Sequence, residues 1–160
     1  MTQEPTIVER DEQPYVALRG KVAMDGIAQF ADRLHEVIGW IAARNIEPVG
    51  APFFKYDLVD MDEGLVMEIG FPVEERHTGE EQIVGGVLPA GRYASVTHFG
   101  HPDGLREATG QLLAWAEKEG LEWDADGNKW GCRLEVYKSD PREVPDMNDW
   151  ETELLFRLRS

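Results

Sequence analysis

Glutamates and aromatic side chains fall at strand-like spacing in this 160-residue chain, and together they could hold a cationic ligand or move a proton. The carboxylates are Glu68, Glu135 and Glu153, and the rings around them are Phe54, Tyr56 and Tyr137. Aromatic walls accept a flat or cationic molecule, and a carboxylate among them supplies the counter-charge. A glutamate desolvated by such walls also has a raised pKa and can serve as general acid or base. A solvent-facing sheet surface carrying ordinary Glu and Tyr gives the same pattern. The spacing alone does not separate these readings.

Alternation along the strands assigns each side chain to a face. In Cys132-Arg133-Leu134-Glu135-Val136-Tyr137 the apolar set Cys132, Leu134 and Val136 is expected beneath a helix, which turns Arg133, Glu135 and Tyr137 the other way. In the last strand Leu154, Phe156 and Leu158 pack inward, leaving Glu153 and Leu155 opposite. In the earlier hairpin Leu65, Met67, Ile69 and Phe71 share one face, with Val66 and Glu68 on the other. The expectation is a sheet face, away from the helices, that carries all three glutamates and all three rings.

The elements that must position them occur twice. Tyr15 reaches Asp25-Gly26 over the same interval that separates Tyr93 from Asp103-Gly104, and an amphipathic helix and two strand-like runs follow each. The first unit, residues 6–74, has a strand from about Thr6 to Val22 broken near Asp11-Glu12-Gln13-Pro14. Its helix runs from about Gly26 to Arg44 with Asp25 as N-cap, burying Ile27, Phe30, Leu34, Val37, Ile38 and Ile41. Strands Phe53 to Val59 and Leu65 to Val73 then join through the acidic turn Asp60-Met61-Asp62-Glu63-Gly64.

A charged stretch, Glu74 to Gln82, leads to the second unit, residues 83–159. There Ile83 to Leu88 and Arg92 to Phe99 flank Pro89-Ala90-Gly91, and a helix from about Pro102 to Glu119 stops at Gly120. Glu122 to Lys129 is a turn, and strands Gly131 to Lys138 and Trp150 to Arg157 are joined by a Pro-containing loop. Two strand-helix-strand-strand units in one domain of 160 residues predict an α+β fold of SHS2 type, with antiparallel sheet, two helices and a groove where the units meet about a pseudo-dyad. Aligning Tyr56 with Tyr137 and Glu68 with Glu153 sets Phe54 in the place of Glu135, so the duplication is broken at that pair.

Composition narrows the partners. Sixteen Lys and Arg against 31 Asp and Glu give a net charge of −15, which repels phosphate backbones and argues against direct nucleic-acid binding. No apolar run approaches the roughly 20 residues that span a bilayer, and the opening Met-Thr-Gln-Glu-Pro has no basic and apolar signal segment, so no membrane association and a cytoplasmic location are expected. The lone Cys132 lies in an apolar strand and reads as a small core thiol. His35 has no His or Cys partner at ligand spacing, so no metal is expected. Gly85-Gly86 is too short for a phosphate loop, Ser95 with His98 lacks a nucleophile elbow, and no cofactor is implied.

Several segments in order resemble a known family: Leu88-Pro89-Ala90-Gly91-Arg92-Tyr93-Ala94, Thr97-His98-Phe99-Gly100 with Asp103-Gly104-Leu105, Leu113-Ala114-Trp115, Leu134-Glu135-Val136-Tyr137 with Asp140-Pro141, and Trp150-Glu151-Thr152-Glu153-Leu154. They are similar to the GyrI-like small-molecule-binding family, which includes effector-binding domains of AraC-type and MerR-type multidrug regulators. The resemblance implies a duplicated fold and a groove that binds bulky, amphipathic aromatic or cationic compounds. It implies ligand contact for Glu135, with Tyr93 as a pocket wall and Tyr137 and Trp115 at positions that can line the cavity. It also implies two further classes. Some stand-alone members are hydrolases that open strained rings in cyclopropane-bearing alkylators with the groove glutamate, here Glu135 beside Tyr137, and the family name comes from an inhibitor of a topoisomerase. The chain departs from the family at Gly100-His101-Pro102, where many members carry Gly-Pro-Tyr. His98 reads as a structural hydrogen-bonding residue, and Trp115 at helical spacing with Leu112 reads first as core. No helix-turn-helix precedes the first unit, so the expectation is a stand-alone sensor or sequestering domain.

Overall fold

Strand-rich sequence with alternating Val, Ile, Leu and aromatic residues gives a sheet of ten strands in the computed structural model, which describes residues 4–60 and 62–159. Residues 1–3 of the N-terminal reading and Met61 of the acidic turn lie outside the described residues. In chain order the elements are β1 (Thr6–Arg10), β2 (Gln13–Val22), α1 (Ile27–Ala31), α2 (Leu34–Ala43), β3 (Phe53–Asp60), β4 (Gly64–Pro72), β5 (Ile83–Leu88), β6 (Gly91–Phe99), α3 (Leu105–Lys118), β7 (Ala125–Asp126), β8 (Lys129–Trp130), β9 (Arg133–Tyr137) and β10 (Glu151–Arg157). The fold is α+β, with an antiparallel sheet.

The strands follow the order β1-β6-β10-β9-β3-β4-β2-β5. Outward from the β3–β9 seam, one side reads β4, β2, β5 and the other reads β10, β6, β1. The pairings Thr6↔Ser95 to Arg10↔Gly91 and Gln13↔Leu88 to Leu18↔Ile83 continue one another in a single register, so β1–β2 and β5–β6 form one long ladder. That ladder joins the two ends of the sheet and curls it around an inner face.

Both faces are therefore buried. On the outer face α1 and α2 cover β2 and β4, where Phe30, Val37 and Ile41 pack on Val16, Leu18, Met67 and Ile69. Helix α3 covers the other flank through Leu105, Ala108 and Leu112 on Ala94, Val96, Leu154 and Phe156. The inner face is a third core of Tyr15, Ala17, Phe53, Leu88, Tyr93, Cys132, Leu134 and Leu155. Each fully buried Leu or Phe in these clusters contributes about 1.5–3 kcal/mol.

Four local expectations are corrected. The first helix is broken: at Asp32-Arg33 the turn tightens, with Arg33 N–H donating to the Phe30 carbonyl three residues back, and α2 restarts at Leu34. Asp25 does not cap it; Gly26 occupies the N-cap without a side-chain bond, and its N–H donates to the Ala23 carbonyl. The second helix opens as a short 3-10 turn over Pro102–Gly104. It ends as read, at Gly120 with φ of +71°, where Leu121 N–H closes back onto the Ala116 carbonyl. The segment read as a turn, Glu122 to Lys129, forms the small β7–β8 ribbon around Gly127 and pairs with β3 through Leu58↔Lys129.

Candidate functional site at the central seam

Where β3 meets β9 the register is Phe53↔Val136, Phe54↔Glu135 and Lys55↔Leu134. Phe54 lies opposite Ile69 of β4, which lies opposite Leu18; Glu135 lies opposite Leu154 of β10, which lies opposite Val96. The same ladders make Tyr56 equivalent to Tyr137, Phe71 to Phe156, and Glu68 to Glu153. Phe54 and Glu135 are thus equivalent positions and also direct partners, so the pair straddles the pseudo-dyad itself. On the axis itself the two halves therefore differ in charge.

This row faces the helices. Phe54 and Tyr56 pack against the core beneath α1 and α2, and Tyr137 packs against the core beneath α3. The expectation that the glutamates and rings share a face remote from the helices is corrected. Cys132, Leu134 and Val136 do not lie under a helix; they fill the inner face of the curled sheet. Alternation along β9 was read correctly, but two equally apolar faces gave no sign of which one the helices cover.

Glu135 is gripped by both tyrosines. Tyr137 Oη donates to its Oε1 at 2.7 Å and Tyr56 Oη donates to the same oxygen at 2.9 Å, while Oε2 accepts no hydrogen bond from the described residues. The Phe54 and Tyr137 rings meet with centroids 4.6 Å apart, tilted by 54°. Desolvation raises the Glu135 pKa above the ordinary carboxylate range, against the opposing pull of the two phenol hydrogen bonds and the nearby Arg133 charge. Desolvation also leads the causes that push the Tyr56 and Tyr137 phenols well above the usual range, with the Glu135 charge adding to it. Both tyrosines therefore remain donors, fixing the carboxylate's orientation.

A groove of about 710 Å³ opens beside this row, between α2 and the segment after β9. Leu34, Ile38, Ile41 and Ile46 form one wall, Phe71, Pro52 and Tyr137 the floor, and Lys138 to Arg142 the other side. Ile38 is 48% exposed, a large apolar residue facing this open space. Tyr137 both lines the groove and holds Glu135, so the carboxylate stands one hydrogen bond behind the groove floor. A smaller cavity of about 150 Å³ at the inner face is lined by Gln13, Phe53, Leu88 and Leu134 among others and by no carboxylate.

The other residues singled out from the sequence lie elsewhere. Glu68 is 4% exposed on the inner face, where Tyr15 Oη and Arg19 donate to its two oxygens. Arg19 also reaches Asp57 at 2.5 Å, and Lys55 pairs with Asp57, so Glu68 belongs to an ionic network within the sheet. Glu153 is on that same face, bonded by Ser95 Oγ at 2.7 Å and Lys138 Nζ at 3.1 Å. Tyr93 is 1% exposed there, its hydroxyl donating to the Pro89 carbonyl at 2.6 Å, which makes it core and not a groove wall. Trp115 packs half-buried against the cluster under α3. His98 is buried with Nε2 3.0 Å from the His101 carbonyl, and His101 Nδ1 accepts the Asp103 N–H at the start of the 3-10 turn. The sequence reading missed Arg133, Trp130 and Phe71 as site residues. Arg133 was legible by parity with Glu135; Trp130 lay in a segment read as a turn and its approach, and so carried no face.

A curled antiparallel sheet with helices on its outer face, and a buried carboxylate beside a groove at a pseudo-symmetric seam, defines the α+β architecture of this domain. The chain belongs to the GyrI-like family: the model of the GyrI-like small molecule binding domain matches residues 3–159. Among solved structures it is similar to the EcmrR C-terminal domain, with a TM-score of 0.80 at 20% identity over 98% of each chain. It is also similar to SAV2435 bound to tetraphenylphosphonium, with a TM-score of 0.69 at 11% identity over 99% of this chain and 95% of that one. A hydrolase from Listeria innocua superimposes with a TM-score of 0.65 at 16% identity, over 98% of this chain and 92% of that one. No curated protein matches the chain in sequence. Among the described residues no helix is long and apolar enough to cross a membrane.

Proposed function

We propose that the protein binds an amphipathic aromatic small molecule, preferentially one carrying a positive charge, in the groove between α2 and β9. The ligand's apolar body lies along Leu34, Ile38 and Phe71, its ring or cation against Tyr137, and Glu135 supplies the counter-charge. The observation that carries this reading is the state of Glu135: two phenols orient Oε1, one of them from Tyr137 in the lining of an apolar groove, and Oε2 accepts no hydrogen bond from the described residues. A desolvated carboxylate is costly without a partner, and a ligand cation is the partner that offsets that cost. The solved relative bound to tetraphenylphosphonium supports a lipophilic cation as the ligand class. Calorimetric titration of wild type and Glu135→Gln with tetraphenylphosphonium and with neutral triphenylphosphine oxide tests it. The expected result is loss of about tenfold or more for the cation and little change for the neutral compound. Equal losses for both would remove the charge-pairing role.

The raised proton affinity of Glu135 favours one second reading, hydrolysis of a strained electrophile held by the same rings. A glutamate with raised proton affinity can protonate a leaving atom in its acid form or activate water as the carboxylate. Incubation with a cyclopropane-bearing alkylator followed by mass spectrometry separates the two. Turnover abolished by Glu135→Gln supports catalysis, and one bound equivalent without product leaves binding alone.

A further inference from the structure

The seam has two halves, and the structure leaves only one of them open. In the first half Phe71, Tyr137 and Pro52 floor the groove. The strand registers give their equivalents in the second half as Phe156, Tyr56 and Arg133. There the Arg133 guanidinium fills the space: its Cζ stands 4.7 Å from the Phe156 ring centroid, 4.8 Å from Trp130 and 5.9 Å from Tyr56. These separations lie within cation–π range. The guanidinium makes no hydrogen bond or ion pair with the described residues, and its Nε is buried without a partner. A proline opposite an open groove in one half has become, in the other, a cation boxed by rings.

We propose that Arg133 is a resident cation occupying the second half-site, and that it sets the charge and size selectivity of the groove. This rests on the reading of the seam as a cation-binding site. The side chain does in one half what a ligand's cation does in the other, so the groove admits a single aromatic cation, on the α2 side. Its charge is also seen by Glu135 two residues along the same strand face, so it competes with the ligand for that carboxylate. Molecules long enough to cross the dyad meet a filled half-site and a like charge.

Three variants separate charge from volume. Arg133→Met removes the charge and keeps an apolar filler that suits an aromatic box, Arg133→Lys keeps the charge, and Arg133→Ala removes both. In calorimetric titration with tetraphenylphosphonium, at a pH above the binding transition of both proteins so that Glu135 is ionised in each, Arg133→Met is expected to bind on the order of tenfold tighter than wild type. Arg133→Lys is expected near wild type, and Arg133→Ala at least as tight as Arg133→Met, with a second equivalent if the vacated half-site admits one. Wild type and Arg133→Met binding with equal affinity overturns the inference and leaves the groove reading standing. Binding by Arg133→Met but not by wild type supports the inference and overturns that reading for the native protein. Binding by neither overturns both.

Discussion

Glu135 faces two demands that pull its proton in opposite directions. Burial favours the neutral acid, while the phenols of Tyr56 and Tyr137 and the charge of Arg133 favour the carboxylate, and the balance leaves its pKa above the ordinary range. Pairing with a permanent cation needs the ionised form. Affinity for tetraphenylphosphonium should therefore fall as pH drops through that raised pKa, beginning at a higher pH than an exposed carboxylate would require, and Glu135→Gln should show no such dependence. Stability runs the other way. A folded-state pKa above the unfolded one gives a contribution that is full below the unfolded pKa and is lost as pH rises through the folded pKa. Urea denaturation of wild type and Glu135→Gln across that range should show their difference shifting in this sense. Tyr137→Phe removes the donor at 2.7 Å, so it should move the binding transition to still higher pH and cost about 1 kcal/mol of stability. An unchanged transition would mean that the phenol does not hold the carboxylate. These roles were partly legible: the i, i+2 spacing of Glu135 and Tyr137 put both on one strand face, but the second phenol arrives from a strand 79 residues away.

At the level of elements, the inner face of the sheet constrains the sequence as tightly as the helix-covered one. A Cβ on Gly70 of β4 would come within 2.0 Å of the Val16 carbonyl oxygen and 2.6 Å of Ala17 Cα, both backbone atoms of the neighbouring strand. Gly70→Ala should therefore destabilise by about 1–3 kcal/mol or more in guanidinium denaturation. Gly39 in the middle of α2 is the contrasting case, with open space where its Cβ would stand. Gly39→Ala should stabilise by roughly 0.5–1 kcal/mol, because glycine carries a larger backbone entropy loss in a helix. Comparable losses at both sites would contradict the packing described for β2 against β4. Helices and most strands were legible from periodicity and from Gly120, Pro52 and the Asp-Gly turns. The side of the sheet that bears the groove was not. Alternation gives relative faces within a strand, and a sheet that curls onto itself buries both sets, so Leu134 under the curl and Leu154 under α3 look alike in sequence.

For the whole molecule, the strand order around the β3–β9 seam explains why the site sits where it does. The long ladder of β1–β2 with β5–β6 closes the sheet on the side away from the seam, and the helices cover the flanks. The outer face of the seam is left as the valley between α2 and residues 138–142. The doubled pattern of Tyr, Asp-Gly, helix and paired strands made that valley foreseeable, and it made the unequal pair Phe54 and Glu135 visible. It could not show that the pair shares one ladder rung, which depends on how β3 meets β9 across a long loop-closing distance. With a net charge of −15 spread over the molecule, the field also favours cations over anions at the groove mouth, where added salt should weaken binding only modestly if pairing at Glu135 dominates. The central claim is that the ligand sits at this seam on the helix-facing side. A crystal structure of the protein soaked with tetraphenylphosphonium tests it most directly. The account predicts the cation between α2 and Tyr137, over Phe71, with Glu135 as its nearest carboxylate. A cation lodged on the inner face beside Glu68 or Glu153, or on an outer surface remote from Tyr137, would contradict it.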